Sequence, residues 1–304
     1  MEHAKKIDAP IDPSKIKVSK KVFNPGPARS RWGNVCNFLF LCLVGVFMVF
    51  PLVMIINNAF KPMDELFLFP PRIFVQNPTL DNFSNISVLM SQSWIPFSRY
   101  IFNTVGTCAV ATFFHIIFAS LAAYVLEKRD FPGRNVLFKI VVVSLMFTPT
   151  VTAIPNYIIM SKLGMIDTYW ALILPYVGSS MGLYLMKQHL SASVPTALLE
   201  AARIDGASEL RIFRSIVMPM VKPAWLTMML FSVQSMWGIT GANMVFTEAK
   251  KPLSYALNQI VSGGIARAGA GAAVQLIMIA PPILIFIVTQ TQVLDTMASS
   301  GIKD

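Results

Sequence analysis

Residues 191–219 read SASVPTALLEAARIDGASELRIFRSIVMP, and this charged stretch lies between two apolar blocks. Pro195 suits the first turn of a helix, because the N–H that proline lacks has no helical partner there. The residues that follow it are mostly good helix formers. Gly206 can adopt the left-handed conformation that ends a helix. Ser208 can cap a second helix, with Glu209 favourably placed near its N-terminus. The stretch therefore predicts two short helices joined by a glycine hinge.

The first of these two helices is expected to be amphipathic. Glu200 and Arg203 are three residues apart and can form an ion pair on one side. Small alanine side chains would let the surface of another protein approach closely. Pro219 and Pro223 are expected to bend the chain into the apolar block that follows. The apolar side of the helix comprises Leu198, Leu199, Ala201 and Ala202.

The rest of the chain consists largely of apolar blocks of roughly 20 residues, the length that crosses a hydrocarbon layer of about 30 Å. Only 13% of the residues are charged and 55% are hydrophobic. Because lipid offers no partners to the backbone, such blocks must be helical. The fold class is therefore an all-α membrane protein with six transmembrane helices. The expected spans are 35–56, 102–126, 136–158, 169–185, 224–246 and 272–294.

The basic residues indicate how these spans are oriented. Most of the 25 Lys and Arg residues fall in the N-terminal tail, in the loops after spans two and four, and in the C-terminal tail. The positive-inside rule places these segments in the cytoplasm. The chain then divides into a cytoplasmic basic tail (1–34), a six-span transmembrane domain (35–294) that contains the cytoplasmic loop 191–219, and a cytoplasmic C-terminal tail (295–304). This placement accounts for the net charge of +10 without nucleic acid, and the basic tail can contact anionic membrane lipid.

Signatures of enzyme chemistry are missing from the sequence. It contains no GxxxxGK[ST] phosphate-binding loop and no HExxH, GxSxG or GxGxxG motif. Cys36, Cys42 and Cys108 do not have metal-ligand spacing. We therefore assign no catalytic residue and no metal site. The apolar blocks carry almost no ionisable side chains, which argues against coupling to an ion gradient. For His115 we expect a hydrogen bond between helices.

Glu200-Ala201-Ala202, Gly206 and Met218-Pro219 have the spacing of a known loop. The stretch resembles the EAA loop of permease subunits of ATP-binding-cassette (ABC) importers. In that family the loop is a coupling helix that docks into a groove of the ATPase subunit. The resemblance implies that ATP and Mg are used by partner subunits, that this chain binds no cofactor, and that it is not itself an enzyme. The coupling residues so implied are Glu200, Ala201, Ala202, Asp205 and Gly206.

Three further segments resemble the carbohydrate (oligosaccharide) subfamily, including its maltose-type inner permeases. They are YVLEKRDFPGR at 124–134, FTPTVTAIPNYIIMSKLGMIDTYWALIL at 147–174, and the end of the chain from residue 279. The resemblance implies a bacterial plasma membrane location with both termini cytoplasmic. It also implies a heterodimer with a second homologous permease subunit, two ATP-binding subunits, and an extracellular solute-binding protein that delivers an oligosaccharide.

A candidate substrate path follows from polar residues in the fifth and sixth blocks. Gln234, Trp237 and Thr240 are three residues apart and would share one helix face, where an aromatic ring beside polar groups suits a sugar. Asn243 and Gln275 are the other candidates for this path. Hydrogen bonding between helices is the alternative role for all five. Two alternatives to the function remain open: a permease for a non-sugar solute such as a peptide, amino acid or anion, and a non-transport membrane scaffold or enzyme.

Overall fold

The structure is a computed structural model that describes residues 31–91 and 94–301. Every regular element in these residues is helical. The described residues divide into two units between Leu52 and Val53. Of the predicted tails, residues 1–30 and 302–304 lie outside the described residues, whereas 31–34 and 295–301 belong to the first and last helices. In chain order the helices are α1 (Arg31–Phe60), α2 (Met63–Leu66), α3 (Asp81–Ser91), α4 (Phe97–Lys128), α5 (Arg134–Ser144), α6 (Pro149–Lys162), α7 (Tyr169–Val177), α8 (Ser180–Ser193), α9 (Thr196–Ile204), α10 (Glu209–Ile212), α11 (Met218–Met220), α12 (Lys222–Trp237), α13 (Leu253–Val261) and α14 (Ala268–Gly301), with a π-helical turn at Phe213–Val217 and 3₁₀ turns at Glu248–Lys250 and Gly264–Arg267.

Within residues 31–91 and 94–301, three helices are long and apolar enough to cross a membrane. These spans are Trp32–Phe60, Phe97–Lys128 and Ala268–Thr291, which correspond to the predicted first, second and sixth spans. Two bent helix pairs bring the number to five if each pair counts as one span. The all-helical, multi-pass class is thus supported. The six-span count stays a prediction.

The third and fourth predicted spans are each two helices rather than one. In the third block, α5 and α6 meet at an angle of 113°. Pro149 begins α6, and a residue before proline is disfavoured in a helix, so the chain bends at Thr148. In the fourth block, α7 ends at Gly178 and α8 begins after Ser179. Sequence hydropathy gave no sign of the first break, because Leu145, Met146 and Phe147 are apolar, whereas Gly178, Ser179 and Ser180 interrupt the fourth block.

The core of the second unit is built around α4. This helix packs against α7, α8 and α12, and α12 packs in turn against α14. Small buried residues along α4, such as Ala111, Ala119 and Ala123, let neighbouring helices approach closely. Towards its C-terminal end α4 contributes Tyr124 to a cluster that includes the fully buried Leu199 of α9. The loop between α8 and α12 is therefore packed onto the helical core.

Gly182 of α8 packs tightly against side chains of α4 and α12. A Cβ atom at this position would overlap the imidazole of His115 and the terminal methyl of Met228. The His115 Nδ1 atom lies 3.3 Å from the carbonyl oxygen of Val177, so His115 also links α4 to α7. This agrees with the hydrogen bond between helices that the sequence predicted.

We expect Gly182→Val to destabilise the membrane domain, because overpacking in a close-packed core typically costs about 1–3 kcal/mol. The measurement is the midpoint of thermal unfolding of the purified chain in mild detergent. Gly106→Val is the matched control, since nothing lies within 4 Å of a Cβ atom at Gly106 of α4. Equal midpoints for the two variants would contradict the close packing at Gly182.

Candidate functional site

The predicted glycine hinge is present between α9 and α10. Gly206 has φ +77°, a left-handed conformation that glycine adopts without steric cost. The Gly206 N–H donates to the Arg203 carbonyl, and the Ala207 N–H to the Ala202 carbonyl, each at 3.0 Å. This pair of bonds is the Schellman arrangement that ends a helix. The Ser208 hydroxyl accepts from the Arg211 N–H at 3.4 Å and so caps α10 as predicted.

Helix α9 has one buried and one exposed side. Leu199 and Ala202 are buried in the core cluster. Leu198 and Ala201, which the sequence assigned to the same apolar side, are exposed. Ile204 at 86% and Leu210 of α10 at 72% are among the more exposed apolar side chains. Four of the five predicted coupling residues therefore form a surface, which we call the α9 surface: Glu200, Ala201, Asp205 and Gly206 are exposed, whereas Ala202 is buried.

Glu209 joins the α9 surface to the end of α4. Its Oε1 atom accepts from Arg203 Nε at 2.8 Å and lies 2.5 Å from Arg129 Nη2. Its Oε2 atom accepts from the Tyr124 hydroxyl at 2.9 Å. The hydrogen bond from Arg203, followed by that from Tyr124 and the charge of Arg129, holds the pKa of the Glu209 carboxyl below its usual value.

The sequence analysis did not identify the Glu209 network. It paired Arg203 with Glu200, whereas the structure pairs Arg203 with Glu209. The two α4 partners, Tyr124 and Arg129, lie in the segment 124–134, whose resemblance to the family was the available signal. The end of α4 is also linked to the residue that follows α8, by the hydrogen bond from Lys128 Nζ to the Val194 carbonyl at 2.6 Å.

A cavity of about 300 Å³ opens between α4, α7, α8 and α12. Its wall is mixed, with apolar side chains beside several polar ones. Of the five predicted path residues, Gln234 alone lines it. Ser235, next to Gln234, lines it as well. The other polar or aromatic lining groups were not assigned this role from the sequence, because most of them come from other segments of the chain. They are His115, Tyr176, Ser179, Phe231 and Ser232.

The remaining predicted path residues lie elsewhere. Trp237 packs against the cluster that contains Tyr100 and Leu257. Helix α12 ends at Trp237 and Gly238 follows, so the expected helix face does not continue to Thr240 and Asn243, which is a correction to the predicted periodicity. Gln275 is exposed on α14. The structure therefore does not bring the five residues together.

At the opposite end of α4 from the α9 surface, the segment 244–253 is held in a fixed conformation. Asn103 Nδ2 donates to the carbonyls of Ala249 and Lys251, each at 2.9 Å. The Asp167 carboxylate accepts from the Thr247 hydroxyl and from the Phe246 and Thr247 N–H groups. The hydrogen bond from the Thr247 hydroxyl is the largest of the effects that keep the pKa of Asp167 well below its usual range.

Comparison with known proteins connects this architecture to a family. Residues 115–297 match the sequence profile described as "Binding-protein-dependent transport system inner membrane component". "Protein LplC" of Bacillus subtilis (strain 168) is 34% identical over 229 residues, which cover 75% of each chain. The "Polygalacturonan/rhamnogalacturonan transport system permease protein YtcP" of the same organism is 30% identical over 235 residues, which cover 77% of this chain and 79% of the relative.

A third relative is the "Arabinooligosaccharides transport system permease protein AraQ" of Halalkalibacterium halodurans. It is 31% identical over 212 residues, covering 68% of this chain and 72% of the relative. Among solved structures, a chain of a bacterial ABC transporter involved in the import of the acidic polysaccharide alginate has the same fold. That likeness has a TM-score of 0.73 at 21% identity, and it covers 88% of this chain and 99% of that one.

Proposed function

This chain belongs to the family of binding-protein-dependent transport system inner membrane components, and we propose that it is a permease subunit of an ATP-driven carbohydrate importer. The names of its relatives, which include permeases for arabinooligosaccharides and for polygalacturonan or rhamnogalacturonan, favour an oligosaccharide as the cargo. On this proposal ATP and Mg are used by two separate ATP-binding subunits, and this chain itself binds no cofactor.

The observation that carries the proposal is the α9 surface. It combines an exposed carboxylate, Glu200, with small residues and with the exposed apolar side chains of Ile204 and Leu210. No residue of the described ranges 31–91 and 94–301 covers those two side chains. An exposed apolar patch with a polar rim is typical of a protein interaction site. We propose that an ATP-binding subunit docks on this surface.

Alternating access is the mechanism that suits these elements. Nucleotide-driven closure of the ATP-binding subunits would move the α9 surface, and the Glu209 network would carry the movement to α4. Because α4 packs against α7, α8 and α12, its displacement would change the cavity lined by Gln234 and Ser235. The two conformations would differ in the side to which the sugar path opens. The path is proposed to form together with a second, homologous permease subunit.

The proposed placement is the bacterial plasma membrane, with both termini in the cytoplasm. The α9 surface would then face the cytoplasm and the segment 244–253 the outside. The fixed conformation of that segment would suit contact with an extracellular solute-binding protein that delivers the oligosaccharide. For Trp237, Thr240, Asn243 and Gln275 a role in the path stays a prediction.

The test is affinity purification of the tagged chain in mild detergent, followed by reconstitution into vesicles and uptake assays. We expect an ATPase and a second permease to copurify in near-equal amounts, and oligosaccharide with its binding protein to stimulate ATP hydrolysis. Stimulation by peptides or amino acids instead would replace the carbohydrate assignment. Recovery of the chain alone, under conditions that preserve a known importer, would favour a scaffold and contradict the proposal.

A further inference from the structure

The loop that follows α1 buries two of its charged side chains and exposes most of its apolar ones. We call residues 61–80 the post-α1 loop. Lys61 and Glu65 are only 3% and 6% exposed, whereas Phe69 is 92% exposed. A loop in contact with water normally has the opposite arrangement, because apolar surface is driven inward. The other exposed apolar side chains of this loop are Met63, Phe67, Leu68, Ile73, Phe74 and Leu80.

The buried charged groups hold the loop in this conformation. Lys61 Nζ donates to the Asn58 side-chain oxygen at 2.9 Å and to the Arg72 carbonyl at 2.5 Å. The Glu65 carboxylate accepts from the Gln76 N–H at 2.8 Å and from the Asn77 N–H at 3.3 Å. These bonds join the two ends of the loop across its interior. The phenylalanine rings are thus held outward by a hydrogen-bonded scaffold.

The position of the loop in the chain indicates what surrounds the rings. The segment Trp32–Phe60, which is long and apolar enough to cross a membrane, ends one residue before Lys61, so we place the start of the loop at the membrane surface. Trp and Tyr are enriched at that level. Phe and Leu side chains of interfacial segments are buried about 5–10 Å into the headgroup and acyl boundary. Arg72 is exposed on the same loop, where a cation can meet lipid phosphate.

The neighbouring helix α3 provides a contrast within the same region. Its exposed residues are nearly all polar, as expected of a surface in water, and its apolar Ile86 is buried. The segment between α1 and α4 therefore carries one apolar and one polar exposed surface. The exposed polar residues of α3 are Asp81, Ser84, Asn85, Ser87 and Ser91.

We propose that the post-α1 loop is an interfacial anchor whose exposed aromatic rings, Phe69 and Phe74, insert into the headgroup region of the bilayer. The orientation proposed above makes this the outer leaflet. The lipid contact itself does not depend on transport, on the ATP-binding subunits or on the identity of the cargo. Failure of either proposal would therefore leave the other standing.

The test uses an added tryptophan as a depth probe. The full-length chain, purified with its associated subunits, is reconstituted in vesicles of phosphatidylethanolamine and phosphatidylglycerol. Some vesicles also contain lipid brominated near the headgroup end of the acyl chain, and others contain lipid brominated near the methyl end. The emission of Phe69→Trp minus that of the parent chain isolates the added probe from the native tryptophans. Asn85→Trp, on the polar surface of α3, is the matched control.

We expect the Phe69→Trp difference signal to be blue-shifted and to lose intensity, more strongly with the shallow bromine than with the deep one. The Asn85→Trp signal should lose little intensity with either lipid. A Phe69→Trp signal that neither lipid quenches would overturn the proposal. Such a result together with a blue shift would show that another protein subunit covers the loop.

Discussion

Gly206→Pro is expected to reduce solute uptake by roughly 100-fold while the chain still enters the membrane. Proline fixes φ near −65°, whereas the hinge requires +77°. It also removes the N–H that Gly206 donates to the Arg203 carbonyl. A proline at such a position costs about 3 kcal/mol or more, which corresponds to about two powers of ten in the population of the native hinge.

The measurement for this prediction is initial-rate uptake of the cargo sugar, normalised to the amount of the chain in the membrane. Gly206→Asn is the control, because asparagine is one of the few residues that visit the left-handed conformation. We expect that variant to retain most of the uptake. Normal uptake by the proline variant would show that the hinge conformation is dispensable.

The second large effect is expected for Glu209→Lys. The substitution removes the acceptor of three interactions and adds a cation between Arg129 and Arg203. Each hydrogen bond to a charged group contributes about 1.5–3 kcal/mol. The Glu209 side chain is 41% exposed, so solvent screening reduces this sum. We expect coupled uptake to fall about tenfold, while ATP hydrolysis by the partner subunits continues.

A charge exchange provides the internal control for the Glu209 prediction. Glu209→Arg combined with Arg129→Glu restores one ion pair across the same contact. Uptake by the double variant should exceed that of either single variant, because the two positions interact directly. Strictly additive losses would mean that the network does not connect the α9 surface with α4.

The Glu209 network should be insensitive to pH in the physiological range. The folded state holds the pKa of Glu209 below its ordinary value of 4.5, chiefly through the hydrogen bond from Arg203. A lowered carboxyl pKa contributes stability that is complete above the ordinary value and is lost as the pH falls through the folded value. Thermal unfolding should therefore show a constant stabilising contribution from Glu209, with no dependence on pH, between about pH 6 and 8. Below the ordinary pKa the parent chain should lose more stability than Glu209→Gln.

Local sequence rules were sufficient for the hinge. Gly206 and Ser208 have the predicted roles, because each depends only on its own backbone or on neighbours within one turn. Pro195 marks the start of α9 as predicted, but as the residue before the first turn and not within it. The partners of Glu209 could not be predicted in that way. Tyr124 lies 85 residues away in the chain, and only the packing of α4 brings the two side chains together.

For the candidate substrate path, by contrast, local sequence rules were not sufficient. Three-residue spacing from Gln234 predicts a shared face only while the helix continues, and α12 ends at Trp237. The cavity instead combines residues of α4, α7, α8 and α12, which no periodicity within one segment can reveal. The conformation of the post-α1 loop could not be predicted from local patterns either. Burial of Lys61 depends on acceptors contributed by Asn58 and Arg72.

The junction before α12 determines how a displacement of the segment 209–220 would be transmitted to the far end of α12. The segments Glu209–Met220 and Lys222–Trp237 meet at 78°, and the buried Val217 and Val221 pack at their junction. At about 1.5 Å per residue these arms are roughly 18 Å and 24 Å long. If the two segments moved as one rigid body about this junction, their lengths would give a displacement ratio of about 1.3. A displacement of a few ångströms applied to the first segment would then reach the far end of α12 turned through 78° and enlarged by about a third.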